Sequence, residues 1–168
     1  KKKIMNLGGI KSKSKPRVFL LSTTHGAETT GLSAGKAVIK MYKKKSIIAH
    51  NKKIIKRIYF SINKILNQFS LKEYIKVYYS DWRIYFEFLD KNKNISNNFK
   101  TLFIQEMIKY GILFQGLFLA CYSHNNSDLR KIIYAFKQSS KIYKLALENG
   151  IKKYLDGEAI KDVFRKYS

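Results

Sequence analysis

The residues best placed to do chemistry are Ser22, Thr23, Thr24 and His25, a run of hydroxyls and an imidazole ending at Gly26. They follow an uncharged apolar segment, Val18 to Leu21, in a chain otherwise crowded with lysine. Hydroxyls and free backbone N–H groups at the start of a helix can hold an anion, because the first turn has unpaired donors and partial positive charge. Ordinary helix capping by Thr24 or Thr29 is the competing reading, and spacing alone favours it.

No other constellation is as compact. Cys121 is the single cysteine, so no internal disulfide forms and no Cys/His spacing suits zinc. His25, His50 and His124 are the three histidines. None has a carboxylate paired with it in a recognisable pattern, so they read as structural residues rather than bases. No catalytic residue and no metal ligand is assigned.

The hydroxyl cluster needs a strand before it and a helix after it. "VFLL" is an uninterrupted apolar run, preceded by the solvated loop "KSKSKPR" with the only proline, Pro16. From Glu28 the apolar positions Leu32, Ala34, Ala37, Val38 and Met41 recur at helical spacing. A second helix is predicted over Ser46 to Asn67, on Ile47, Ile48, Ile54, Ile58, Ile62, Ile65 and Leu66. "YIKVYYS" and "WRIYFEFLD" read as two strands, and "KNKNISNN" as a surface loop.

Further on, Phe99 to Tyr110 is a predicted helix ending at Gly111, and "ILF" a short strand followed by "LFLACYSH". Asn126 or Ser127 is predicted to cap a long helix ending at Asn149-Gly150, and "GEAIKDVFRKYS" to form a last short helix. The fold class is α/β, with an α+β C-terminal portion whose antiparallel sheet is flanked by helices.

The chain has 168 residues, 45% of them hydrophobic and 14% aromatic, which suits a folded globule rather than a disordered tail. Net charge is +23, from 34 Lys+Arg against 11 Asp+Glu, and invites a nucleic-acid hypothesis. The basic residues are spread along every segment, however, in company with Ile, Asn, Tyr and Phe, the types that AT-rich codons favour. A nucleic-acid binder would gather its cations on one face beside exposed aromatics, whereas the aromatics here fall at core-facing periods. The apolar run "YGILFQGLFLACYS" is too short for a bilayer, which takes about 20 residues. A cytoplasmic protein without membrane or nucleic-acid partners is the expectation.

Three stretches, "KKKIMNLGGI", "RVFLLSTTHGAET" and "LFIQEMIKYGILFQGLFLACYSHNNSDLRKIIYAFKQSSKIYKLALENG", carry a family likeness. In that order they resemble the C-terminal part of class III pyridoxal-phosphate-dependent aminotransferases, nearest the glutamate-1-semialdehyde 2,1-aminomutase family. The resemblance implies a fold-type I transferase: residues 1–45 as a remnant of the large cofactor domain, 46–69 as a connecting helix, and 70–168 as the small C-terminal domain. It implies a homodimer, with pyridoxal 5'-phosphate and pyridoxamine phosphate chemistry on a small amino donor and acceptor. Thr24, aligned on "HGAE", would touch the phosphate of the cofactor in the neighbouring subunit, with Thr23 as the fallback one residue away.

The family's Schiff-base lysine precedes the segment matching Lys1, so this chain alone is expected to be inactive without an N-terminal half. The family's acidic "FEAGF"-like segment has no equivalent near Gly116. That departure opens two alternatives, an aminotransferase of an amino-sugar or surface-polysaccharide pathway and a non-catalytic relic.

Overall fold

The computed structural model describes residues 28–161. These fall in two compact units that divide between Lys45 and Ser46.

In the first unit, helix α1 spans Thr29–Lys44. Its residues sort cleanly around the axis at 3.6 per turn. Leu32, Val38, Ile39, Met41 and Tyr42 fall on one half, and Lys36, Lys40, Lys43 and Lys44 on the other. None of its residues is buried, and the five large apolar side chains are all exposed.

The second unit begins with α2, Ile47–Gln68. Ile54, Ile55, Ile58, Ile62, Ile65 and Leu66 recur every three or four residues and form its buried stripe. Ile55 is fully buried although the spacing reading passed over it, and Ile48, counted as apolar core, is exposed. The helix stops in a Schellman turn: Leu71 N–H donates to Leu66 O at 2.8 Å and Ser70 N–H to Asn67 O at 3.1 Å. Ser70 takes the left-handed position, φ 58°, that glycine normally fills.

Strands β1, Ile75–Ser80, and β2, Arg83–Phe88, form an antiparallel hairpin in which Tyr78 faces Tyr85 and Val77 faces Phe86. Strand β3, Leu117–Leu119, adds to the other side of β2, giving the order β1-β2-β3. Alternation assigns Ile75, Ile84, Phe86 and Phe88 to a buried face and Tyr78, Tyr85, Leu117 and Leu119 to an exposed one.

Helices α3, Asn97–Lys109, and α4, Asn126–Asn149, complete the buried side together with α2. The core between them is aromatic: Phe88 and Phe103 have ring centroids 5.0 Å apart, Phe103 and Phe136 4.9 Å, and Phe86 and Phe136 5.6 Å. Tyr143 is fully buried on α4, with its Oη 2.5 Å from Leu89 O and 3.1 Å from Tyr74 O. One hydroxyl thus ties the long helix to the end of the hairpin. Burial holds the phenol proton far above the usual tyrosine range.

Several local expectations are corrected. "ILF" (112–114) is not a strand; after α3 the chain turns at Gly111, φ +73°, and stays irregular until β3. Ile112 N–H closes this turn onto Met107 O at 3.0 Å, so the backbone bonds go to the helix end rather than to a sheet. The cap of α4 is Asn125, not Asn126 or Ser127. Its side chain accepts from Ser127 N and Asp128 N, while Asp128 Oδ2 accepts from Asn125 N at 2.9 Å, a full capping box.

Of the predicted last helix, residues 157–161 are not helical, and 162–168 lie outside the described residues. The tail instead makes a short 3-10 turn at Ile151–Lys153 and is pinned to α3, where Gln105 bonds Tyr154 O and Asp156 N, and Thr101 Oγ1 accepts from Ile160 N at 2.9 Å. Side-chain bonds to the helix replace the helical ladder there. Among the described residues no helix is long and apolar enough to cross a membrane.

Candidate functional site

Thr23 and Thr24, with Ser22 and His25, lie outside the described residues. The helix they were expected to precede does form, and begins at Thr29, five residues after Thr24. Glu28 occupies its N-cap position without a side-chain cap bond, and the first turn contains no acid. The acidic Glu28 itself thus stands at the positive end of the helix dipole.

Within the second unit, a pocket of about 290 Å³ lies under the irregular segment between α3 and β3. Its floor is formed by core side chains, Ile58, Ile62, Phe86, Met107, Phe114 and Phe136, all buried. Ile112, Leu113, Leu117, Phe118 and Ile132 also line it, with three polar side chains, His124, Asp128 and Lys131. Gly111 shapes one edge: a Cβ there would sit 3.2 Å from Lys131 Nζ. With no side chain at Gly111, the lysine lies across the turn.

Asp128 and Lys131 are one helical turn apart on α4, so their side chains leave the same face. Asp128 Oδ2 is engaged by the cap bond described above. Lys131 has neither hydrogen bond nor ion pair among the described residues, and the two do not pair with each other.

His124 has a positioning role. Its Nδ1 accepts from Cys121 N–H at 3.0 Å, which leaves the proton on Nε2. The ring packs on Phe118 at 5.4 Å. Its carbonyl lies 3.1 Å from His50 Nε2, and the His50 ring meets Tyr122 edge-on at 5.1 Å. A further clamp comes from Arg57 Nη1, which donates to Asn126 Oδ1 at 2.6 Å. Together these bonds fasten the 121–126 loop to α2. His50 and His124 are thus brought together through backbone and ring contacts, in keeping with structural roles. The imidazole of His124 bonds the backbone of Cys121, and the thiol is instead 3.1 Å from Ser123 Oγ.

A second, shallower cleft of about 490 Å³ lies beside this loop, lined by His50, Lys53 and Arg57 from α2. No acidic residue lines it.

No known protein family, characterised protein or solved structure matches the chain. What the chain does is therefore argued from its own residues.

Sequence reasoning had not singled out Lys131. The usable signal was an acid and a base three residues apart, Asp128 and Lys131, directly beside the apolar positions Ile132 and Phe136. That pattern looks like a solvated helix face until the neighbouring segment, 112–118, is seen to fold over it.

Proposed function

We propose that the chain is the C-terminal part of a class III pyridoxal-phosphate-dependent aminotransferase, nearest glutamate-1-semialdehyde 2,1-aminomutase. Thr24, or Thr23 one residue earlier, contacts the cofactor phosphate held by a neighbouring subunit. The observation that supports this reading is the helix start at Thr29, five residues after Thr24. An anion cradle needs that order of parts.

Two features of the described residues agree with a large domain beyond them. Helix α1 leaves a complete apolar half exposed, and the sheet leaves Tyr78, Tyr85, Leu117 and Leu119 uncovered on its outer face. In this reading Thr24 or Thr23 would hold the phosphate end of the cofactor. In this reading the lysine that binds its aldehyde end lies upstream, so the 168 residues by themselves bind without turnover. When bound, the cofactor supplies the electron sink for amino transfer. This chain's own contribution would be to anchor the phosphate through Thr24 or Thr23. An amino-sugar or surface-polysaccharide substrate, in place of the semialdehyde, is the alternative that the missing acid near Gly116 leaves open.

The phosphate contact is tested by titrating the full chain with pyridoxamine 5'-phosphate and with pyridoxamine, which differ only in that group. Pyridoxamine forms no imine with surface lysines, so the comparison is free of that side reaction. Phosphate-dependent binding that falls about tenfold in Thr24→Ala, the loss of roughly one charge-assisted hydrogen bond, is the expected result. Equal binding of the two compounds, or no effect of Thr24→Ala and Thr23→Ala, rejects the reading.

One observation favours a second reading. Tyr78, Trp82 and Tyr85 are exposed on the hairpin, and the Arg83 guanidinium lies 4.6 Å over the Trp82 ring. The expectation that the aromatics serve only the core is thus overturned there, and exposed rings beside a cation are what a single-stranded nucleic acid stacks on. The same hairpin carries Glu87, bonded to Tyr78 Oη at 2.8 Å, and Asp81, paired with Lys52 at 2.6 Å. Those carboxylates oppose a phosphate backbone, so this reading ranks below the first.

A further inference from the structure

We propose that the pocket under the 112–118 segment binds a free α-amino acid with an apolar side chain. Its floor is six buried aliphatic, aromatic and thioether side chains, so the body of the ligand must be hydrocarbon-like. A sugar or a nucleobase would leave its polar groups unpaired against that floor.

The charged lining groups are one carboxylate and one ammonium, Asp128 and Lys131, and His124 also lines the pocket. An apolar amine would satisfy only Asp128, and an apolar acid only Lys131. An α-amino acid presents an ammonium and a carboxylate on adjacent atoms and satisfies both. Lys131 has no partner among the described residues and is available for this, and Asp128 retains Oδ1 after Oδ2 accepts the Asn125 N–H.

The volume of about 290 Å³ stands at the lower end of ligand pockets, which span roughly 300–1,000 Å³. That suits a leucine- or phenylalanine-sized molecule and excludes a peptide or a long-chain lipid. The pocket is built wholly from residues 58–136, so its occupancy is independent of the cofactor contact proposed at Thr24.

The test uses the full chain and isothermal titration with L-phenylalanine, L-leucine, phenethylamine and 3-phenylpropanoate. The last two carry the phenyl body with only one of the two charges. L-Phenylalanine is expected to bind at least about tenfold more tightly than either, one charge-assisted bond being lost in each case. In Lys131→Gln, an exposed position whose change leaves the core intact, L-phenylalanine weakens about tenfold while phenethylamine is unchanged. Absence of binding by both amino acids overturns the proposal. So does equal binding of L-phenylalanine and phenethylamine in the wild type, which would mark a merely greasy pocket, or an unaltered affinity in Lys131→Gln. Asp128→Asn weakens the helix cap as well, so the ammonium arm is read from 3-phenylpropanoate instead of from that variant.

Discussion

At the scale of single residues, the most consequential side chain is Tyr143. Its hydroxyl joins α4 to the carbonyls of Leu89 and Tyr74 inside the core, where an unpaired acceptor is costly. Tyr143→Phe is expected to lower stability by about 1–3 kcal/mol in urea unfolding. It should also change the alkaline limb of the stability profile. The folded-state proton affinity of Tyr143 is raised, chiefly by burial. Stability from this group is therefore intact below the unfolded value, about 10, and falls as pH rises beyond it, because the unfolded chain loses the proton first. In Tyr143→Phe that part of the alkaline decline disappears. The hydroxyl's partners, Tyr74 and Leu89, flank the hairpin strands more than fifty residues away and had no local signature. Lys131 was hidden for a similar reason, since its importance depends on a segment that folds over it.

At the scale of elements, α2 decides whether the second unit has a core at all. A domain starting at Ser70 was the sequence expectation, yet Ile54, Ile55, Ile58, Ile62, Ile65 and Leu66 belong to the same buried cluster as the sheet and the other helices. A chain beginning at Ser70 is expected to lack a cooperative thermal transition, while one beginning at Ser46 retains it; a sharp transition in the shorter chain would show that α2 is dispensable. Helices and hairpin strands were legible because their periods, 3.6 and 2, are written in the apolar positions. The "ILF" segment was not, since three apolar residues fit a strand, a turn or a helix end equally well. Its backbone bonds to Met107 decided the matter.

At the scale of the whole molecule, charge is the dominant property. Net charge of +23 gives non-specific attraction to polyanions, and this term falls steeply with salt. Oligothymidylate is expected to bind at low ionic strength and be released well before about 0.2 M salt, with Trp82→Ala having no effect on fluorescence anisotropy titrations. Salt-resistant binding that depends on Trp82 would instead support stacking on the outer sheet face. The carboxylates on the hairpin are the physical reason for the first expectation.

By itself the sequence determined the helices, the hairpin and the basic charge, because propensity, periodicity and composition act locally. It also carried the resemblance from which a phosphate contact at Thr24 is proposed. Only the tertiary structure decided the apolar pocket with Asp128 and Lys131 beside it, the union of α2 with the sheet, and the exposed rings on the hairpin. Each of these depends on which surfaces meet, a property of packing between segments far apart in the chain that no short window of residues encodes.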